Sequence, residues 1–151
     1  MIKNLKKRLK DQRGLTLVEL LAVIVILGII AAIAIPSIGS IIDNSKFGAV
    51  KSDALMVINA AKMYETDGFA IDDTKGPKLS DLTTYIEASH TIKTADANAI
   101  VVLKKNGNYE LTGTGDKDGI TVKFTGATIS EINGIKKYKD YIDSKKDIGV
   151  Q

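Results

Sequence analysis

From Leu15 to Ile35 the chain is apolar at nearly every position, LTLVELLAVIVILGIIAAIAI, with Thr16 and Glu19 as the polar exceptions. A helix of this length spans roughly 31 Å, close to the hydrocarbon thickness of a bilayer. Pro36 follows; it has no N–H for the Ala32 carbonyl and its ring crowds that turn, which predicts a kink. Beyond it the pattern becomes periodic. Ile38, Ile41, Ile42, Val50, Ala54, Val57, Ile58, Ala61 and Tyr64 recur at spacings of three and four, whereas Asp43, Asn44, Lys51, Asp53, Asn59 and Lys62 fill the other face. This predicts one helix from about Leu15 to Thr66, stopped at Asp67-Gly68.

Residues 69–98 are turn-rich, with Gly76-Pro77 as a breaker and Ser80 as the expected N-cap of a short helix reaching about Ala88. Three β-branched runs follow: Ala99 to Lys104, Tyr109 to Thr112, and Ile120 to Thr125. Asn106-Gly107 separates the first two and Gly115 to Gly119 the next two, so an antiparallel meander is expected, with residues 127–132 as a candidate fourth strand. Residues 135–151 read as a short helix and a loose tail. The predicted fold class is α+β: a long kinked N-terminal helix with its C-terminal half packed on a small antiparallel sheet. It divides into a basic leader (1–14), an apolar helix (15–36) and a single head (37–151).

Composition narrows the chemistry. The 151 residues suffice for one domain with a modest core. The net charge of +3 is misleading as a surface property, because Lys3, Lys6, Lys7, Arg8, Lys10 and Arg13 against Asp11 give the leader +5 and the remainder −2. Cations before the apolar run and few after it predict a cytoplasmic N-terminus and an exported head. The chain has no cysteine, which excludes disulfides, thiolate metal sites and cysteine nucleophiles. One histidine and no tryptophan leave little for general-base or zinc chemistry, so no catalytic residue, cofactor or metal is assigned.

The informative combination is Gly14 at the charge-to-apolar boundary with Glu19 inside the apolar run. A carboxylate at mid-bilayer costs about 2.5 to 3.5 kcal/mol on insertion scales, and one placed there usually has a partner or a function. Cleavage after Gly14 would create an α-amine on Leu15, one turn from Glu19. The run Arg13-Gly14-Leu15-Thr16-Leu17-Val18-Glu19-Leu20-Leu21 resembles the class III signal sequence of type IV prepilins. That resemblance implies a prepilin peptidase that cuts after Gly14 and methylates Leu15, with Glu19 guiding assembly. The family's usual first residue is phenylalanine, where this chain has Leu15. Gly28 and Pro36 match positions where family helices carry a glycine and a proline. The missing disulfide is similar to pilins of Gram-positive bacteria. The resemblance further implies self-assembly into a helical filament, an assembly platform, a motor ATPase, and a path from the inner or cytoplasmic membrane to the cell surface. A pseudopilin of a DNA-uptake or type II secretion system is the alternative.

Plainer readings stay open beside it. A single-pass anchor, or a signal peptide cut at Ala32-Ile33-Ala34, explains the leader and the apolar run without using Gly14 or Glu19. His90 reads as a surface histidine. Asp72-Asp73 and Asp116-Lys117-Asp118 offer oxygens that suit calcium, but turn aspartates explain them and the EF-hand pattern is missing. Lys136, Lys137, Lys139, Lys145 and Lys146, with Tyr138 and Tyr141, suggest DNA contact; Asp140, Asp143 and Asp147 nearly cancel that charge, which leaves DNA binding open.

Overall fold

The computed structural model describes residues 16–86, 90–96, 98–144 and 146–149. The fold is α+β and pilin-like: one long helix, a small antiparallel sheet and two short helices. The chain divides into two compact units at the Ser40–Ile41 boundary, which lies inside the long helix.

Helix α1 (Leu17–Thr66) is 50 residues long and runs unbroken through Gly28 and Pro36. Its end follows from local chemistry. Gly68 takes a left-handed φ of 99°, its N–H donates to the Glu65 carbonyl at 3.0 Å, and the Phe69 N–H donates to the Tyr64 carbonyl at 3.4 Å. Phe69 then stacks on Tyr64 at 4.3 Å, the apolar contact that accompanies this type of stop. The expected terminus at Asp67-Gly68 is therefore observed.

The head is built on α1 residues 41–66. Phe47, Val50, Ala54, Val57, Ile58 and Ala61 form one buried stripe at helical spacing. The stripe starts at Phe47, not at the expected Ile38, because Ile38, Ile41 and Ile42 are 54, 63 and 48% exposed. Facing it are strands β1 (Ile92–Lys93), β2 (Val102–Lys105), β3 (Asn108–Lys117) and β4 (Ile120–Ala127). β3 is central. Antiparallel β1 and β2 pair with its two ends and β4 pairs along its length. Ile120, Val122 and Phe124 are buried and alternate with exposed Thr121, Lys123 and Thr125, as a half-buried strand requires. Burying each large apolar side chain contributes about 1.5–3 kcal/mol.

Two hairpin turns set the register. Asn106-Gly107 has positive φ at both residues, the turn expected between β2 and β3. The next turn is Asp118-Gly119 alone, also with both φ positive, so β3 runs to Lys117 and not to Thr112. Gly115 is thus a strand residue. It faces Val50, whose Cγ1 would lie 2.2 Å from a Cβ added there, so its lack of a side chain admits the helix and makes no turn.

Three further expectations are corrected. Residues 79–82 form a 3₁₀ turn after Lys78, and Ser80 lies within it; Asp81 closes it by accepting the Lys78 N–H at 2.9 Å. The far end of that expected helix, at residues 87–89, lies outside the described residues. Residues 127–132 do not form a further strand: Ala127 ends β4, Ile129–Gly134 is helix α2 with Thr128 and Glu131 capping each other, and the fourth strand is β1. The tail is not loose either. Helix α3 (Tyr138–Ser144) packs Tyr138, tilted, and Tyr141, stacked, against Phe47 at 5.7 and 5.8 Å. Ile148 then buries itself beside β4, its N–H donating to the Lys123 carbonyl and its carbonyl accepting from the Thr125 N–H, each at 2.9 Å. Gly149, at φ 99°, passes so close to β4 that an added Cβ would meet the Thr125 carbonyl oxygen at 2.6 Å.

Candidate functional site

The candidate site is the start of α1. Gly14 and Leu15 lie outside the described residues. From Thr16 onward the local geometry is set by a reciprocal cap: the Thr16 N–H and hydroxyl donate to the Glu19 carboxylate at 2.9 and 2.8 Å, and the Glu19 N–H donates to Thr16 Oγ1 at 3.2 Å. Thr16-Leu17-Val18-Glu19 is a capping box, legible in the sequence and missed because Glu19 drew attention only as a charge in an apolar run. The cap holds the carboxylate at the first turn, beside unpaired backbone N–H groups whose partial positive charge favours an anion.

After Glu19 the helix offers no charge until Asp43. No residue from Thr16 to Ser40 is buried, and bulky side chains from Leu17 to Ile35 are mostly more than half exposed. This is the one helix among the described residues long and apolar enough to cross a membrane. Gly28 and Pro36 lie within the helix, and space is open around Gly28.

The other candidate residues are engaged in the head. Asp72 Oδ1 accepts from the Thr74 N–H, the Thr74 hydroxyl and the Lys75 N–H at 2.7–2.8 Å, which fixes a turn and holds its carboxyl below the ordinary aspartate pKa. Asp116 accepts from the Thr121 hydroxyl at 2.9 Å across the hairpin. No group of three or more metal-ligating side chains occurs among the described residues. His90 is half-buried, with Nδ1 enclosed and unpaired among the described residues, so it is not the surface histidine expected. Tyr138 and Tyr141 are half-buried against Phe47.

One cluster was not anticipated. The Glu65 carboxylate accepts from Lys104 Nζ at 2.8 and 3.0 Å and from the Tyr109 hydroxyl, joining α1 to β2 and β3. The Lys104 bond and then the Tyr109 bond lower the Glu65 pKa, and the same contact raises that of Lys104. A cross-element trio of this kind leaves no spacing signal in a sequence.

Comparison with known proteins agrees with this geometry. A family model described as a prokaryotic N-terminal methylation motif matches residues 9–35. Type II secretion system core protein G of Pseudomonas aeruginosa is 39% identical over 66 residues, 44% of this chain and 46% of that protein. A fimbrial protein of Pseudomonas aeruginosa is 30% identical over 127 residues, 83% of this chain and 82% of that protein. Core protein G of Vibrio cholerae is 30% identical over 124 residues, 80% of this chain and 84% of that one. No solved structure is a significant match. With the leader motif, the capped apolar helix and the helix-on-sheet head in one chain, and relatives aligned over four fifths of their length, the chain belongs to the family of type IV pilins and the pseudopilins related to them.

Proposed function

We propose that the chain is a structural subunit of a type IV pilus. It is made as a precursor held in the inner or cytoplasmic membrane with its N-terminus cytoplasmic, cut after Gly14 by a prepilin peptidase, methylated on Leu15 and assembled into a surface filament. The filament serves adhesion, twitching motility or biofilm formation. The observation that carries this reading is the wholly exposed apolar segment of α1 with Glu19 fixed at its start. Exposed apolar area costs about 25 cal/mol per Å², so outside lipid this segment needs like helices to cover it.

Glu19 has the role of guiding assembly. Thr16 holds its carboxylate in the first turn, where the new Leu15 amine would form, and a neighbouring copy's amine is an equally suitable counter-charge. The role is structural and not enzymatic. The sequence has no P-loop, so energy for assembly comes from a motor ATPase acting through an assembly platform. Gly28 and Pro36 are the costliest helix residues of the segment, by about 1 and 3 kcal/mol relative to Ala, and are proposed as the stretch that unwinds under load.

Glu19→Ala tests this reading, because only assembly needs the carboxylate. The variant should insert in the membrane at normal levels yet give at least tenfold fewer filaments by electron microscopy; wild-type yield contradicts it. Gly28→Ala combined with Pro36→Ala should give a stiffer filament under pulling. The long match to core protein G of Vibrio cholerae favours a second reading, a pseudopilin forming a short secretion fibre. Filament length separates the two.

A further inference from the structure

The hairpin that joins β2 to β3 stands among three hollows at one end of the sheet, the end away from the Asp118-Gly119 turn. The first, about 580 Å³, is lined by Asn106, Asn108, Glu110 and Thr112 on one side and by Thr128 and Glu131 on the other. The second, about 490 Å³, shares Asn108 and Thr128 with it and adds Tyr109 and Ile129. The third, about 410 Å³, shares Asn106 with the first and reaches toward Asp72 and Asp73. Because each shares lining residues with the first, they form one run around the hairpin. All three lie within the range of about 300–1,000 Å³ usual for small-ligand clefts.

Local structure keeps the first hollow open. β3 slips register against β4 between Leu111 and Gly113, which leaves Thr112 exposed, and Thr112 Oγ1 accepts the Gly126 N–H at 3.1 Å. Gly126 lines the wall at a φ of 65°, and a Cβ there would stand 3.2 Å from Glu110 Oε2. The amides in the hollow are also at liberty to bind. Asn44 accepts from the Tyr138 N–H at 2.9 Å and Asn98 from Lys78 Nζ at 3.1 Å, whereas the side chains of Asn106 and Asn108 have no partner among the described residues. The turn accounts for Asn106, which takes a φ of 49°, but it asks for no amide at Asn108.

The lining selects the class of ligand. Asn106 and Asn108 offer donors and acceptors side by side, Glu110 adds acceptor oxygens and Thr112 a hydroxyl, a mixture that pairs with groups which themselves both donate and accept. One ammonium, that of Lys105, faces the carboxylates of Glu110 and Glu131 and lies 3.4 Å from the first, so the lining has no cation to spare for a phosphate or a carboxylate. Tyr109 and Ile129, both half-buried, give the second hollow an apolar wall. Hydroxyls around an apolar C–H face are the chemistry of a neutral sugar, and a run of hollows suits several linked rings. We infer that the β2–β3 end of the head binds a neutral oligosaccharide, with Asn108 and Glu110 hydrogen-bonding its hydroxyls. The groove belongs to the head alone, so the inference holds for a pilus subunit and a pseudopilin alike.

To test this, the detergent-solubilised full chain is titrated by calorimetry with cellopentaose, maltopentaose and chitopentaose, and with an oligogalacturonate as the acidic control. Chitopentaose is built of N-acetylglucosamine, as bacterial wall glycans partly are, so its rank among the neutral probes separates an envelope source from an external one. Saturable binding of at least one neutral probe is expected, with weaker binding of the acid. Asn108→Ala should weaken that binding about fivefold and Glu110→Gln about tenfold, whereas Lys117→Ala at the opposite end of β3 should leave it unchanged. Glu110→Gln keeps the shape of the side chain, so it reads the groove even where Asn108→Ala disturbs the hairpin. Failure of all three neutral probes to bind, tighter binding of the acid, or wild-type affinity in Glu110→Gln overturns the proposal. The chain is measured unassembled, so each of these failures leaves the filament-subunit reading standing.

Discussion

Residues 17–40 and residues 41–66 belong to one helix and dispose of their apolar side chains in opposite ways. In the first stretch apolar residues surround the whole circumference and none is buried; in the second they are confined to one stripe from Phe47 to Ala61, pressed onto a sheet. The difference lies in the partner each was selected for. A helix that must satisfy lipid, and then other helices, needs an apolar surface in every direction, because its neighbours lie on every side. A helix that serves one sheet needs a single seam, and its remaining surface is free for polar groups or for a second use.

Substitutions break this comparison at its strongest point first. Phe47→Ala, at 1% exposure, should destabilise the head by about 3–5 kcal/mol, whereas Ile30→Ala should leave head unfolding unchanged. Denaturant titration of the detergent-solubilised chain, followed by a head-specific probe, reads both; equal losses would mean that the apolar half also depends on intramolecular packing. A smaller effect separates two copies of one local device. Thr128→Ala removes the cap of α2 and should cost the head about 0.5–2 kcal/mol, while Thr16→Ala removes the matching cap of α1 and should not move the head's midpoint.

The smallest effect is electrostatic. Lys104 and Tyr109 hold Glu65 below the ordinary glutamate pKa. The folded state therefore binds this proton less readily than the unfolded chain. Its contribution is complete above the ordinary glutamate value and is lost as pH falls through the lower folded value. Glu65→Gln should therefore lower the midpoint slightly near neutrality, by the small amount a half-exposed pair contributes, and flatten the acid-side fall so that the two proteins converge at low pH. An unaltered acid profile would show that the trio does not couple α1 to the sheet.

The parts legible in the sequence were those fixed by near neighbours. The uninterrupted apolar run, the Asp67-Gly68 stop and the Asn106-Gly107 hairpin all depend on residues within one turn of each other, and all were found where expected. What escaped depended on distant partners. Gly115 reads as turn punctuation until Val50 is seen against it, and Thr128 to Ile132 reads as β-branched until the Thr128–Glu131 cap is noticed. Ile38, Ile41 and Ile42 continue the periodicity of the core stripe without belonging to it, because periodicity reports a face and not what covers it. At the candidate site, Glu19 was legible from its chemistry, while its bonding to Thr16 was written in the same four residues and passed over.

The most direct test of the central claim, that the apolar half of α1 is freed by cleavage to become a filament segment, is N-terminal mass analysis of the chain recovered from sheared surface filaments. The account predicts a subunit that begins at Leu15 with one methyl group on its amine. A mature chain beginning at Ile35, or an intact leader beginning at Met1, would contradict it.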